Sequence, residues 1–145
     1  MKATLLHRSR TAHRKGIIEV MTKRTLHVRV GEGAESALKR AASAMLALEQ
    51  GKSPTPSFEV GFDNVGQLFA VFTPRRWELL AALRKAGPIS IAALAKRLGR
   101  DYKNVHGDVA ALMEWMAVGK DAQGLVYAPY TDIAVDVHLP EQQAA

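Results

Sequence analysis

The chain has no cysteine among its 145 residues, which removes disulfides, thiolate metal sites and thiol nucleophiles together and suits a reducing cytosol. No apolar run approaches the ~20 residues of a membrane-spanning helix. The first twenty residues also lack the continuous apolar stretch of a secretion signal. No nucleophile elbow, phosphate-binding loop or paired-histidine motif is present, and His7, His13, His27, His106 and His138 are too scattered for a metal centre. Repeats and low-complexity stretches are absent as well. The expectation is a non-enzymatic, cytoplasmic chain with no cofactor, no metal and no membrane partner.

What the chain does have is enough apolar sequence for one compact domain, at 48% hydrophobic and 23% charged residues. Its net charge of +6 is unevenly spread. Residues 1–30 hold eight Lys/Arg against the single Glu19, whereas residues 121–145 hold no base and four acids. A basic front and an acidic tail suggest a polyanion partner, although a solvated basic face is the plainer account.

Residues 1–20 have no steady hydrophobic period and are expected to be disordered. They read as a basic arm for nucleic-acid phosphates, as an organelle transit segment, or as an over-extended start with Met21 the natural initiator. From Thr25 to Val30 the text TLHVRV alternates, placing Leu26, Val28 and Val30 on one face of a strand. Ala34, Ala37, Leu38, Ala41, Met45 and Leu48 then recur at helical spacing up to Gln50, predicting a helix that buries one stripe. Lys52 to Ser57 carries two prolines and reads as a linker. The strand-helix unit before it, residues 21–57, holds more apolar surface than so short a unit can bury and is the candidate interface of a homodimer.

Residues 58–139 are expected to form the main domain, followed by a disordered tail at 140–145. Phe58 to Phe62 reads as a short strand and Asn64 to Phe72 as a short helix. Thr73 caps a helix from Pro74 to Ala86 with Trp77, Leu80 and Leu83 inward. Ser90 caps Ile91 to Leu98, which Gly99 stops. Asp101 caps a longer helix whose inward stripe is Tyr102, Val105, Val109, Leu112 and Met116. Leu125 to Ala128 and Ile133 to Leu139 look like the two arms of a small hairpin. Three helices and a hairpin in this order predict a mainly α protein with a small β wing (α+β), a winged helix-turn-helix preceded by the strand-helix unit. The turn is the specific part: Ala95 permits close helix crossing, Gly99 tolerates a positive φ, and Val105 plugs the corner.

FTPRRWELLAAL, GPISIAALAKRLGRDYKNVHGDVAALMEW and YAPYTDIAVDVHL resemble a family of small prokaryotic MarR-like winged helix-turn-helix proteins. The resemblance runs, more weakly at the front, over residues 22–139, which favours the start at Met21. It implies a DNA-binding, autoregulatory transcriptional regulator, in some cases an antitoxin paired with a cognate toxin. Two positions depart from the family pattern. Gly107 stands where arginine is usual, and Met116 stands where glycine often closes the recognition helix, which suggests a helix running slightly longer.

A recognition helix from Asp101 to Met116 would face a major groove with Lys103, Asn104, His106 and Gly107, the expected base readers. Ser90, Lys96, Arg97 and Arg100 are the expected phosphate contacts. Lys120 and Gln123 lie at the wing, and Arg75 and Arg76 are expected to be solvated. Tyr102 fits the inward stripe better than the groove. Trp115, Met113 and Met116 could line a ligand pocket, but large apolar residues at helix spacing are usually core. Gly31-Glu32-Gly33 imitates a dinucleotide fingerprint, yet its third glycine is Ser36 and no further strand-helix units follow to build a parallel sheet. The rival to DNA binding is a protein-interaction module that uses the winged helix as a platform.

Overall fold

Residues 24–52 and 58–139 are described by a computed structural model of the chain. The basic arm or alternative start at 1–20, most of the proline linker and the tail at 140–145 lie outside the described residues. Strand β1 (Thr25–Val30) follows from the alternation of its text, with Leu26, Val28 and Val30 buried on one side. Helix α1 (Ala34–Glu49) comes next, then β2 (Phe58–Phe62) and α2 (Val65–Val71), whose N-cap Asn64 accepts a hydrogen bond from the Gln67 amide at 2.9 Å. The Thr73 hydroxyl caps α3 (Pro74–Ala86) with proline at its first turn. Two further helices, α4 (Ile91–Leu98) and α5 (Tyr102–Glu114), are followed by β3 (Gly119–Lys120), β4 (Val126–Tyr127) and β5 (Asp132–Val137).

The chain is mixed α and β, but its strands are not confined to one hairpin. β3 and β4 pair antiparallel, and Ile89 joins them by exchanging two hydrogen bonds with Val126 at 2.9 and 3.0 Å. The hairpin expected between Leu125–Ala128 and Ile133–Leu139 does not form. β5 instead crosses to β1 and pairs with it in parallel, Val28 opposite Val135, while β2 pairs in parallel on the other side. An alternating run fits either partner equally well, and the buried apolar face of β1 offers the larger gain. The strand of the expected N-terminal unit is thus the centre of a three-stranded sheet ordered β2-β1-β5.

The inner face of that sheet packs on the helices in one core. Phe62 links the two, stacking on Trp115 with ring centroids 4.4 Å apart and meeting Phe72 edge-on at 6.2 Å. Leu79 and Leu83 of α3, Leu94 of α4 and Val105, Val109 and Leu112 of α5 are all fully buried. Each such side chain contributes roughly 1.5–3 kcal/mol through removal from water. Trp77 lies at the rim, stacked on Phe72 at 5.0 Å yet still 36% exposed, so it is not an inward residue in full.

Three expectations are corrected here. Helix α1 buries no residue at all, so its apolar stripe faces solvent. Helix α5 stops at Glu114, and Met116 takes a left-handed φ of +62°. The departure from glycine at 116 therefore leaves the turn in place and puts strain into it, because a Cβ crowds the backbone there. Met116→Gly is expected to raise stability by about 1 kcal/mol in urea denaturation, since the side chain is nearly half exposed and little packing is lost. Finally, a parallel sheet does form, removing one argument against a nucleotide site at Gly31-Glu32-Gly33. The loop itself is closed: a Cβ on Gly31 would stand 2.5 Å from the His138 carbonyl oxygen, and the acidic Glu32 and Asp63 flank it.

Candidate nucleic-acid interface

The surface that the sequence singles out is built on a tight corner between α4 and α5. Ser90 ends the preceding extended segment and accepts a hydrogen bond from the Ala93 amide at 3.1 Å, fixing the start of α4. Ala95 is buried at the crossing, and Gly99 closes the helix with φ +63°, where its amide bonds to the Lys96 carbonyl. The left-handed turn costs an L side chain about 1–2 kcal/mol, which glycine avoids. Asp101 then caps α5 by accepting from the Asn104 amide at 3.3 Å, and Val105 fills the corner with no exposure.

This corner brings most of the expected contacts to the surface. Lys96 and Arg97 on α4 are exposed, as are Lys103, Asn104, His106 and Gly107 on α5. Ser90 is exposed too, with its hydroxyl engaged as the cap. Asn104 lines a cleft of about 410 Å³ together with Arg75 and Glu78 of α3 and Arg100 of the turn. Lys120 and Gln123 are exposed on the β3–β4 hairpin, and Asp121 beside them holds the turn by accepting from the Gln123 and Leu125 amides, both at 2.9 Å.

Tyr102 does not belong to the inward stripe. It is 53% exposed at the first turn of α5, its ring 5.9 Å from that of His106 one turn on. Tyr102 stands about 60° around the helix from Val105, and the hydrophobic period alone does not resolve a residue at the stripe's edge.

Arg76 is not the solvated side chain expected, and Arg100, expected at a phosphate, is likewise engaged within the fold. Arg100 donates to Asp108 at 2.6 Å, and Arg76 donates through Nε to the other carboxylate oxygen at 3.1 Å. Arg76 also donates to the Ala70 and Val71 carbonyls at 3.2 and 2.8 Å. Asp108, which the sequence did not flag, thus fastens α5 to α3, to the end of α2 and to the turn after α4. Its burial opposes the charged form, but the hydrogen bonds from Arg100 and Arg76 outweigh this and hold the carboxyl below the usual range. Both arginines are thereby spent within the fold. Met113 and Met116 are exposed and Trp115 packs on Phe62, so these three residues do not enclose a ligand pocket.

Residues 71–135 match the family model described as HVO_A0114. That span runs from the end of α2 into β5 and contains α3, α4, α5 and the β3–β4 hairpin. No curated protein and no solved structure matches the chain. No helix among the described residues is long and apolar enough to cross a membrane, and those residues hold no cluster of three metal-ligating side chains.

Proposed function

We propose that this chain is a sequence-specific double-stranded-DNA-binding regulator, non-enzymatic and cytoplasmic, whose residues 71–139 act as a winged helix-turn-helix. The observation that carries the reading is the exposed cationic and amide-bearing surface of Lys96, Arg97, Lys103, Asn104 and His106 around the rigid Gly99 corner. The order of elements supports it, with α3, the Ile89 bridge, α4, α5 and the β3–β4 hairpin following one another. In this reading α5 enters the major groove, Asn104 pairs with an adenine edge, and Lys96 and Arg97 hold phosphates. Lys120 and Gln123 lie on the wing beside the minor groove. The resemblance to MarR-like regulators agrees with this assignment.

Single substitutions separate the roles. Asn104→Ala is expected to weaken binding to a selected duplex by about 1–3 kcal/mol while leaving random duplex nearly unchanged. Equal losses on both would make Asn104 a phosphate contact. Gly107 lies mid-helix with open space around it, where a side chain adds about 1 kcal/mol of helix stability. Gly107→Arg is therefore expected to stabilise the fold, and in fluorescence anisotropy to bind duplex DNA more tightly with a steeper salt dependence. Lost affinity in that variant would instead mark residue 107 as a point of close approach.

A second reading is a protein-binding platform with little DNA binding, whose acidic C-terminal segment engages a basic partner such as a cognate toxin. The commitment of Arg76 and Arg100 to Asp108 favours it, because the turn then offers fewer free cations than its sequence suggests. Heparin chromatography separates the two readings. A DNA reader is retained and elutes with salt, whereas a platform for a basic protein passes through.

A further inference from the structure

Strand β5 has an open edge. Among the described residues it pairs only with β1, on one side. The His138 amide donates to the Val30 carbonyl at 2.8 Å and the Asp132 amide to that of Arg24 at 3.3 Å, so the even-numbered residues of this segment turn their backbone groups to β1. Ile133, Val135 and Val137 turn theirs outward, an unpaired row that is a template for a further strand. Open edges are commonly blunted by lysine or proline, and β5 carries neither.

The side chains along this row differ between the two faces of the sheet. On the inner face Val135 and Val137 lie level with the buried Val28 and Val30, yet they are 39% and 45% exposed. At the opposite edge, Val60 and Phe62 of β2 are buried on that same face. From Ile133 the inner face of β5 continues into a groove of about 250 Å³ against α3, lined by Trp77, Leu80, Arg84, Ala128, Tyr130 and Ile133. On the outer face Asp132 and Asp136 flank Ala134, in a stretch with no Lys or Arg from residue 121 to the end of the chain. Asp136 meets Arg29 at 3.4 Å, but that guanidinium is shared with Glu59 and Glu32, and Asp132 makes no ion pair among the described residues. The edge is therefore apolar on one side and acidic on the other.

We propose that β5 takes an extended segment of a basic protein partner as a fourth strand of the sheet. The partner's Lys or Arg side chains lie on the outer face against Asp132 and Asp136, and its alternate, apolar side chains lie on the inner face over Val135, Val137 and the groove beside Trp77. The inference rests on the platform reading and deepens it, giving the acidic segment a docking mode and its partner an alternating pattern. The two acids repel a polyanion, and a second β5 paired antiparallel would bring Asp132 and Asp136 of both copies onto one face, like charge against like.

Fluorescence anisotropy of the full chain without DNA tests this with the labelled peptide acetyl-Lys-Val-Lys-Ile-Lys-Val-amide and a control of equal charge, acetyl-Lys-Lys-Lys-Val-Ile-Val-amide. The alternating peptide is expected to bind about tenfold more tightly than the control. N-methylation of either its apolar or its lysine residues, according to strand direction, is expected to remove that advantage by deleting the amides that pair with β5. Val135→Pro, which deletes an amide on the open side and none toward β1, is expected to weaken the alternating peptide about tenfold and leave the control unchanged. Equal affinity for the two peptides overturns strand addition while leaving a basic partner held by charge alone, the platform reading without this docking mode. Binding of neither peptide also overturns it, and heparin flow-through then decides the platform reading by itself. An advantage that survives both N-methylated forms, or survives Val135→Pro in a chain with an unchanged melt, overturns it as well.

Discussion

Asp108→Ala is expected to lower the stability of the fold by about 3 kcal/mol, because it leaves two largely buried guanidinium groups without their shared counter-charge. The side chains of Arg76, Arg100 and Asp108 are 18%, 16% and 18% exposed, so water compensates little. Urea denaturation measures the loss directly, and a change below about 1 kcal/mol would show the three charges to be a surface arrangement. The pH dependence has a definite sign. The folded-state pKa of Asp108 is depressed, so its contribution is fully present above its unfolded value near ~3.9 and is lost as pH falls through the lower folded value. Wild-type chain should therefore lose stability in that acid window more steeply than Asp108→Ala, which has already lost the interaction. Parallel pH profiles for the two proteins would contradict the clamp.

The triple variant Lys96→Ala/Arg97→Ala/Lys103→Ala is expected to bind duplex DNA about a hundredfold more weakly, with the salt slope reduced by roughly three. These side chains are exposed and make no ion pair among the described residues, so their removal spares stability while stripping the corner of its cations. Anisotropy titrations at several salt concentrations give both quantities at once. Unchanged affinity with an intact melt would move any DNA-binding surface away from α4 and α5. The two variants are complementary: one breaks the clamp that orients α5, and the other leaves the clamp and removes the charges it presents.

The elements that the sequence made legible are those whose signals are local. Leu26, Val28 and Val30 alternate within six residues, and the caps Thr73, Ser90 and Asp101 act over three residues, so a strand and three helix starts could be placed from the text. The corner was equally legible, because Ala95, Gly99 and Val105 each satisfy a requirement of the turn itself. What was misread depends on distant partners. β5 pairs with β1 across more than a hundred residues, and nothing in the alternation of Ile133, Val135 and Val137 distinguishes that pairing from a hairpin. Arg76 and Asp108 lie 32 residues apart, so their charges read separately as surface polarity. The stripe of α1 is real, but periodicity records that a face is apolar and not what covers it. The charge run after residue 121 was read as a tail, whereas Asp136 reaches Arg29 at 3.4 Å on the outer face of the sheet.

The central claim is that the α4–α5 corner lies on duplex DNA, and amide mapping tests it most directly. The isotope-labelled chain would be titrated with a 20-base-pair duplex at low salt while backbone amide resonances are followed. The account predicts the largest shifts between Ser90 and Gly107 with a second group at Lys120 to Gly124, both reversing as salt is raised. Shifts confined to α1 or β5, or none at a hundred-micromolar duplex, would contradict it.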